Sequence, residues 1–482
     1  MSNFSHARKS LSLLLPFLRA FAPSRLRVNM GVEGRQPALP RNTRSESAPE
    51  NPGTCLSCLK TPRTPKTFGI FRLWETLRER FHHQTFLFSH EGAKARRREG
   101  GIFNGPLRFA GLGLALMLAC AGCKPAASPS PAPQGTLTLA SPTKGAYTGA
   151  YMDFGDKEDD VTLDGIDGFE KLVGKHQAII ASSSYWGEQS FPTANLDIIR
   201  RHHSIPLLFW SPWDLPYKQE AGPDRFALNT IIAGQWDDYI DRWADAARDF
   251  RYPILVSFAN EMNGTWFPWS GFFYGGGTRV PGTPSPYIQP GKKFPEGLPG
   301  PFQGPETFKK AYRHVVDRVR ARGARNIQWV FHTVNYSIPQ DTWNLIGQYY
   351  PGPDYVDWLG YSVYGKQTSD ETWCPFGPLL DWPYLEICAL DPQKPVMLAE
   401  WGVAEYPKEG SKPAFIKDSL GTMASKYPRI KASVFWHERW QNDNGEYSNL
   451  RANSSPESLD AYRTGVANPY WLSEPRLIPA KP

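Results

Sequence analysis

What the chain has little of narrows it first. Only six of its 482 residues are cysteine, and beyond residue 124 there are two, Cys374 and Cys388. An oxidising compartment would permit one bridge between them and no more. No GxSxG elbow and no glycine-rich phosphate loop is present, so neither a serine hydrolase nor a nucleotide site is marked. No His/Asp/Glu cluster shows metal-ligand spacing, and neither a metal nor a cofactor is expected. Positive charge is missing where it would matter. Residues 1–124 carry 20 Lys and Arg against 7 Asp and Glu, whereas residues 125–482 carry 34 against 40. The formal net charge of +7 therefore belongs to the leader. A mildly acidic body argues against nucleic acid as a partner, because phosphate binding needs a basic face on the domain itself.

The leader has its own pattern. KARRR at 94–98 is followed by the apolar run FAGLGLALMLACAG at 109–122. The run is shorter than the ~20 residues that span a bilayer, and it ends in small residues, as a secretory signal does. The stretch resembles a bacterial lipoprotein signal, which implies an exported, membrane-anchored protein at the periplasm or cell surface. Cys123, after Ala121 and Gly122, is the expected lipidation site, with Cys120 as second choice. Residues 124–144 form a Pro/Ser/Ala tether expected to stay extended. Residues 1–93, with CLSC at 55–58, read as a start site placed too early or as a disordered N-terminus.

What is plentiful is aromatic. The chain has 17 Trp, and aromatics make up 13% of it. From Gly145 to residue 472 the pattern becomes regular. Apolar runs bounded by turns lie at Ala146–Met152, Gln177–Tyr185, Pro206–Trp210, Pro253–Phe258, Ile327–Val334, Val356–Val363, Pro395–Ala399 and Ala432–Trp436. Between them, residues 236–250 and 308–319 carry apolar side chains three and four apart, the stripe of an amphipathic helix. Residues 411–427 and 455–466 do so more weakly. Alternating strands and helices predict a parallel sheet with helical crossovers, and eight such units predict a (β/α)8 TIM barrel. An open doubly wound sheet is the alternative, weakened by the missing glycine-rich turn. Residues 270–305 form a long Gly/Pro/aromatic loop at a strand's C-terminal end, where barrel active sites lie, and are expected to wall a cleft.

Two carboxylates stand at predicted strand ends, Glu261 after PILVSFAN and Glu400 after PVMLA. In a barrel both reach one rim. Paired carboxyls across a cleft are the apparatus of glycoside hydrolysis: one protonated for the leaving oxygen, one ionised for the sugar carbon. Aromatics around Glu261 suit it to the acid role, which leaves Glu400 as nucleophile.

Those residues also carry a resemblance. ANEMNGTWFPW at 259–269 resembles the acid/base strand of glycoside hydrolase family 26, a β-mannanase family in the clan of (β/α)8 retaining glycosidases. YYPGPDYVDWLGYSVYG at 349–365 resembles its sixth strand, PVMLAEWG at 395–402 its nucleophile strand, and residues 169–192 its second-strand region. The resemblance implies that Glu261 is the general acid/base, Glu400 the nucleophile and Tyr364 a partner of that nucleophile. Trp266 and Trp436 would wall the cleft near the cleaved bond. Two positions depart from the family. Asn260 stands where many members have His, an amide that would reach the sugar 2-OH. Ser211, in FWSPW, stands where Trp–His is usual.

The expected function is a retaining hydrolase of β-linked polysaccharide, first an endo-β-1,4-mannanase. Mixed-linkage β-glucan and β-1,3-xylan are the alternatives. A non-catalytic glycan-binding lipoprotein is the competing class, and remodelling of the cell's own polysaccharide a third reading. Further substrate contacts are expected from Trp186, Trp210, His332 and Asn335, with Trp269 offering a flat face and Phe267 packing in the core. His437 and Glu438 would bind sugar or pair with each other, and His202–His203 would lie at the surface. The protein is expected to be a monomer.

Overall fold

The computed structural model describes residues 135–152, 160–214, 222–280, 301–442 and 445–480. The expected early-start segment, the signal with Cys123 and Cys120, and residues 281–300 of the long loop lie outside them.

Eight strands alternate with helices: β1 Ala146–Met152, α1 Leu163–Val173, β2 Ile179–Tyr185, α2 Thr193–Arg201, β3 Ile205–Ser211, α3 Asp237–Phe250, β4 Ile254–Phe258, α4 Gln303–Ala321, β5 Ile327–Val334, β6 Trp358–Tyr364, α5 Phe376–Leu390, β7 Val396–Gly402, α6 Lys412–Lys426, β8 Ile430–His437 and α7 Pro456–Val466. Each strand pairs in parallel with the next. β1 also pairs with β8, from Tyr147 opposite Ala432 to Met152 opposite His437, which closes the barrel. All eight apolar runs read from the sequence are strands of this one sheet.

The helices form where local chemistry permits. Thr162 caps α1 by accepting from the Gly165 N–H at 3.1 Å, and Gly174, left-handed at φ +70°, ends it. Ser411 and Ser455 cap α6 and α7 in the same way. The stripe on α3 buries Tyr239, Ile240, Trp243, Ala244 and Ala247. α4 starts earlier than its stripe, at Gln303, because Pro305 is tolerated in a first turn.

Two apolar layers result. Tyr147, Ile179, Leu207, Leu255, Val330, Met397 and Val434 fill the barrel interior, while a larger layer lies between strands and helices. The bottom of the barrel is closed by chain that the sequence assigned to the tether. Leu137–Leu139 pairs antiparallel with Leu477–Pro479, and Gln328 inside the barrel exchanges two hydrogen bonds with Leu139. The tether's last residues thus belong to the folded body. Apolar Leu137 and Leu139 have a barrel mouth to cover, and the Leu139 backbone has a half-buried amide to satisfy. Cys374 and Cys388 are both free thiols.

Candidate active site

The C-terminal rim of the barrel brings Glu261, Glu400 and His332 together. One carboxylate oxygen of each glutamate and a ring nitrogen of His332 all lie within 4.8 Å of one another. All three side chains are buried.

Glu261 is aimed by strained backbone. After β4 ends, Ala259 and Glu261 adopt left-handed φ of +49° and +55°. Such conformations cost non-glycine residues ~1–3 kcal/mol each and persist only where neighbours enforce them. Here the enforcement is visible. Ala259 N–H donates to the Trp210 carbonyl at 3.3 Å, and Glu261 N–H donates to the His332 carbonyl at 2.8 Å. Beyond the turn, a Cβ on Gly264 would stand 2.4 Å from the Trp266 ring, so glycine lets that indole fold back. Trp266 Nε1–H donates to Glu261 Oε2 at 2.7 Å. Glu261 Oε1 has no hydrogen-bond partner.

Glu400 is aimed by a β-bulge. The predicted strand ended at Ala399, but β7 continues to Gly402. On its β6 side, Leu398 lies opposite Tyr361 and Glu400 opposite Ser362, so Ala399 is an extra residue. On its β8 side, three steps from Leu398 to Trp401 again face two, from Ser433 to Phe435. Leu398 and Trp401 both pack in the outer layer, whereas Met397 and Ala399 face the interior. Strict alternation would send Glu400 outward to the helices; the bulge turns it inward. There Tyr364 O–H donates to Glu400 Oε2 at 2.7 Å.

The electrostatics follow from burial and crowding. Burial first, then the charge of Glu261 and that of Glu438, push the Glu400 carboxyl well above the usual range, against the Tyr364 hydrogen bond. Two carboxyls this close do not both ionise freely, so the pair tends to keep one proton. Burial and the Glu400 charge hold the Tyr364 phenol far above its usual value, so it remains a donor. Burial drives His332 down to about 3, so its imidazole is neutral. Its Nδ1 lies 3.0 Å from Ser257 Oγ and its Nε2 2.8 Å from Ser362 Oγ. Clamped between two hydroxyls on the interior face, His332 supports the pair from beneath; with a relative exposure of 1% it does not line a cleft.

Other expected contacts resolve differently. Trp436 is half-buried, stacked on Tyr151 at 4.0 Å and 9°, and donates to Glu438 Oε2 at 2.7 Å. Asn260 is buried beside Glu261, with its carbonyl accepting from the Trp269 indole at 2.6 Å. Trp186 and Trp210 are not cleft walls. Both are fully buried in the outer layer, where Trp210 stacks on Trp243 at 4.0 Å and donates to Tyr239. Trp269 is also core, stacked on Phe267. Each sits on the helix side of its strand or folds under the rim, which the residue type alone does not reveal. Asn335 spends its amide on the Leu379 carbonyl at 3.0 Å. His437 accepts from the Ala452 N–H at 2.9 Å and meets the Phe169 ring edge-on at 4.8 Å. The first part of the long loop, Gly271–Tyr274, is a helical turn that ties to the Leu228–Ile232 helix through Tyr274. Sequence reasoning missed Ser257 and Ser362. Their signal was small polar residues at inward positions of otherwise apolar strands.

At the opposite end of the barrel, Glu170, His176 and His202 also converge, one donor atom of each within 4.8 Å of the others. Their separations along the chain are not those of a metal motif, so only the fold brings them together.

Residues 226–376 match the family model described as Glycosyl hydrolase family 26. The stretch contains β4 to β6 with Glu261 and Tyr364; Glu400 lies beyond it. The chain is 28% identical over 322 residues to Endoglucanase H of Acetivibrio thermocellus, covering 64% of this chain and 30% of that protein. It is 25% identical over 180 residues to Beta-1,3-xylanase TXYA of a Vibrio species, covering 37% and 30%. The matches thus span about a third of the length of these curated relatives. Among solved structures it is similar to a GH26 beta-mannanase from Bacteroides ovatus, at 18% identity and TM-score 0.46, covering 68% of this chain and 90% of that one. It is also similar to the catalytic domain of a GH26 endo-beta-1,4-mannanase from Bacillus sp. JAMB-750, at 16% identity and TM-score 0.48, covering 68% and 87%. Those structural likenesses are too distant to bear on function. The matched stretch and the relatives support glycoside hydrolase family 26, with Glu261 and Tyr364 inside that stretch and Glu400 just past it.

Proposed function

We propose that the protein is a retaining hydrolase of β-linked polysaccharide, working by double displacement. The observation that carries this is the closeness of the Glu261 and Glu400 oxygens, within 4.8 Å. Carboxyl groups about 5–5.5 Å apart suit a covalent glycosyl intermediate, whereas inverting enzymes leave ~6.5–9.5 Å for a water. Glu261 gives its proton to the leaving oxygen; Oε1, the oxygen with no partner, is free to hold it. Glu400 attacks the anomeric carbon while Tyr364 keeps its other oxygen oriented. Glu261 then takes a proton from the water that releases the sugar.

The first substrate proposed is β-1,4-mannan, cut internally, from the sequence resemblance. Mixed-linkage β-glucan is the second reading. It is favoured by the relative named Endoglucanase H, which aligns over 64% of the chain, and by Asn260 and Ser211 where mannanase-like members carry His. Export and lipid anchoring at Cys123 belong to the same proposal and rest on residues 94–123 alone. Labelling with a radioactive fatty acid, lost in Cys123→Ala, is the check on that part.

The test is reducing-sugar release from galactomannan, glucomannan, barley β-glucan and β-1,3-xylan, with Glu261→Gln beside the wild type. Release from one polymer, lost in the variant, establishes class and substrate. Glu400→Ala is expected to be inactive and to regain turnover in azide, yielding a glycosyl azide of inverted configuration. Binding without release from any polymer would favour the non-catalytic reading.

A further inference from the structure

The cluster at the N-terminal face of the barrel is independent of the active site. Glu170 projects from the last turn of α1, His176 from the turn that follows it, and His202 from the end of α2. His176 Nδ1 lies 3.1 Å from Glu170 Oε2, and His202 Nε2 lies 3.5 Å from the same oxygen and 3.6 Å from Asp167 Oδ1. Charge-assisted hydrogen bonds run shorter, at about 2.7–2.9 Å. Donors at ~2.0–2.1 Å around a tetrahedral ion are instead ~3.3 Å apart, between the His176–Glu170 contact and the two His202 contacts.

The second layer orients the donors. Ser204 O–H donates to the Gln177 carbonyl at 2.6 Å, so its oxygen is left to accept from His202 Nδ1–H at 3.1 Å. With Nδ1 engaged by Ser204, Nε2 of His202 faces the carboxylates of Glu170 and Asp167. Glu170 Oε1 is fixed by the Gln177 N–H at 2.7 Å. An outer hydrogen bond that sets the imidazole tautomer is the usual support of a metal-binding histidine. The side chains of Glu170, His176 and His202 are 16%, 26% and 11% exposed and that of Asp167 is 62% exposed, so an ion can enter.

We propose that Glu170, His176 and His202 form a structural zinc site that ties α1, the turn after it and the end of α2 together. Two imidazoles and one carboxylate within 4.8 Å of one another favour Zn2+ over the oxygen-preferring Ca2+ and Mg2+. The site lies on the barrel face associated with stability rather than catalysis.

The experiment uses the purified chain without a histidine tag, treated with EDTA and dialysed. Zn2+ titration is expected to show one ion per chain and a rise in Tm. His176→Ala/His202→Ala should lose both responses and keep wild-type reducing-sugar release. Ser204→Ala should weaken Zn2+ affinity by ~10–100-fold. No stoichiometric uptake by the wild type, or uptake and Tm rise undiminished in the double variant, overturns the proposal. If that variant does not fold, the Co2+-loaded wild type decides. A strong visible band of four-coordinate Co2+ supports the site, and the pale spectrum of octahedral Co2+ overturns it.

Discussion

Glu261 hangs by its backbone from His332: its N–H donates to the His332 carbonyl at 2.8 Å, while the imidazole of that histidine lies 3.9 Å from Glu400 Oε1. One residue on β5 therefore spaces the two carboxyls. Its side chain is locked by Ser257 and Ser362 and stays neutral, so it adds no titration of its own to the site. The pair interacts with itself, with Trp266, with Tyr364 and with Glu438.

Tyr364→Phe removes the donor that favours the charged form of Glu400. Hydrogen bonds to charged groups are worth about 1.5–3 kcal/mol, so kcat/KM is expected to fall by roughly 10–100-fold. The acidic limb of the kcat/KM profile, where Glu400 must ionise, should move to higher pH. A limb that stays in place would mean that this bond does not tune the nucleophile.

Glu438→Gln acts in the opposite sense. The negative charge of Glu438 raises the Glu400 pKa, and neutralising it lowers that pKa. The acidic limb should therefore move to lower pH. Profiles of wild type and variant in one buffer series check this, and a shift upward contradicts the assignment.

Glu400→Gln should be more stable than the wild type at neutral pH. The folded-state pKa of Glu400 is raised, chiefly by burial, above the ~4.3 of an unfolded glutamate. Its contribution to stability is thus complete below that unfolded value and is lost as pH rises through the raised folded one. Glutamine mimics the protonated side chain and loses nothing. Melting curves from pH 4 to 8 should show a gap in Tm that closes toward acid. A variant less stable throughout would show that the carboxylate is not strained in the fold.

Trp210→Phe separates core from cleft. Trp210 stacks on Trp243 and bonds Tyr239 in the outer layer. The substitution should cost about 1–3 kcal/mol of stability and leave KM for the hydrolysed polymer unchanged. A rise in KM with unchanged Tm would return Trp210 to the substrate.

Much of this was legible in short windows. The eight strands show as apolar runs, because a parallel sheet covered on both faces buries both sides of each strand. α3 and α4 show as stripes of period near 3.6. α5 did not show, because it is apolar nearly throughout and carries Pro383 inside. α1 and α2 are short, with only Ile166, Phe169 and Val173 buried on the one and Leu196 and Ile199 on the other, so their stripes are weak.

By itself the sequence determined the barrel order, the positions of Glu261 and Glu400 at the ends of buried runs, and the pairing of Tyr364 with Glu400. Each of these depends on patterning within about ten residues or on a recognisable motif. Only the tertiary structure decided which way the side chains face. Period-two alternation points Glu400 away from the cleft, and a bulge set by register against β6 and β8 reverses it. Two left-handed residues, held by carbonyls of β3 and β5, turn Glu261 inward. The same cause sent Trp186 and Trp210 into the core and gathered Glu170, His176 and His202 into one cluster. Facing and proximity depend on partners distant in the chain, and no local window contains them.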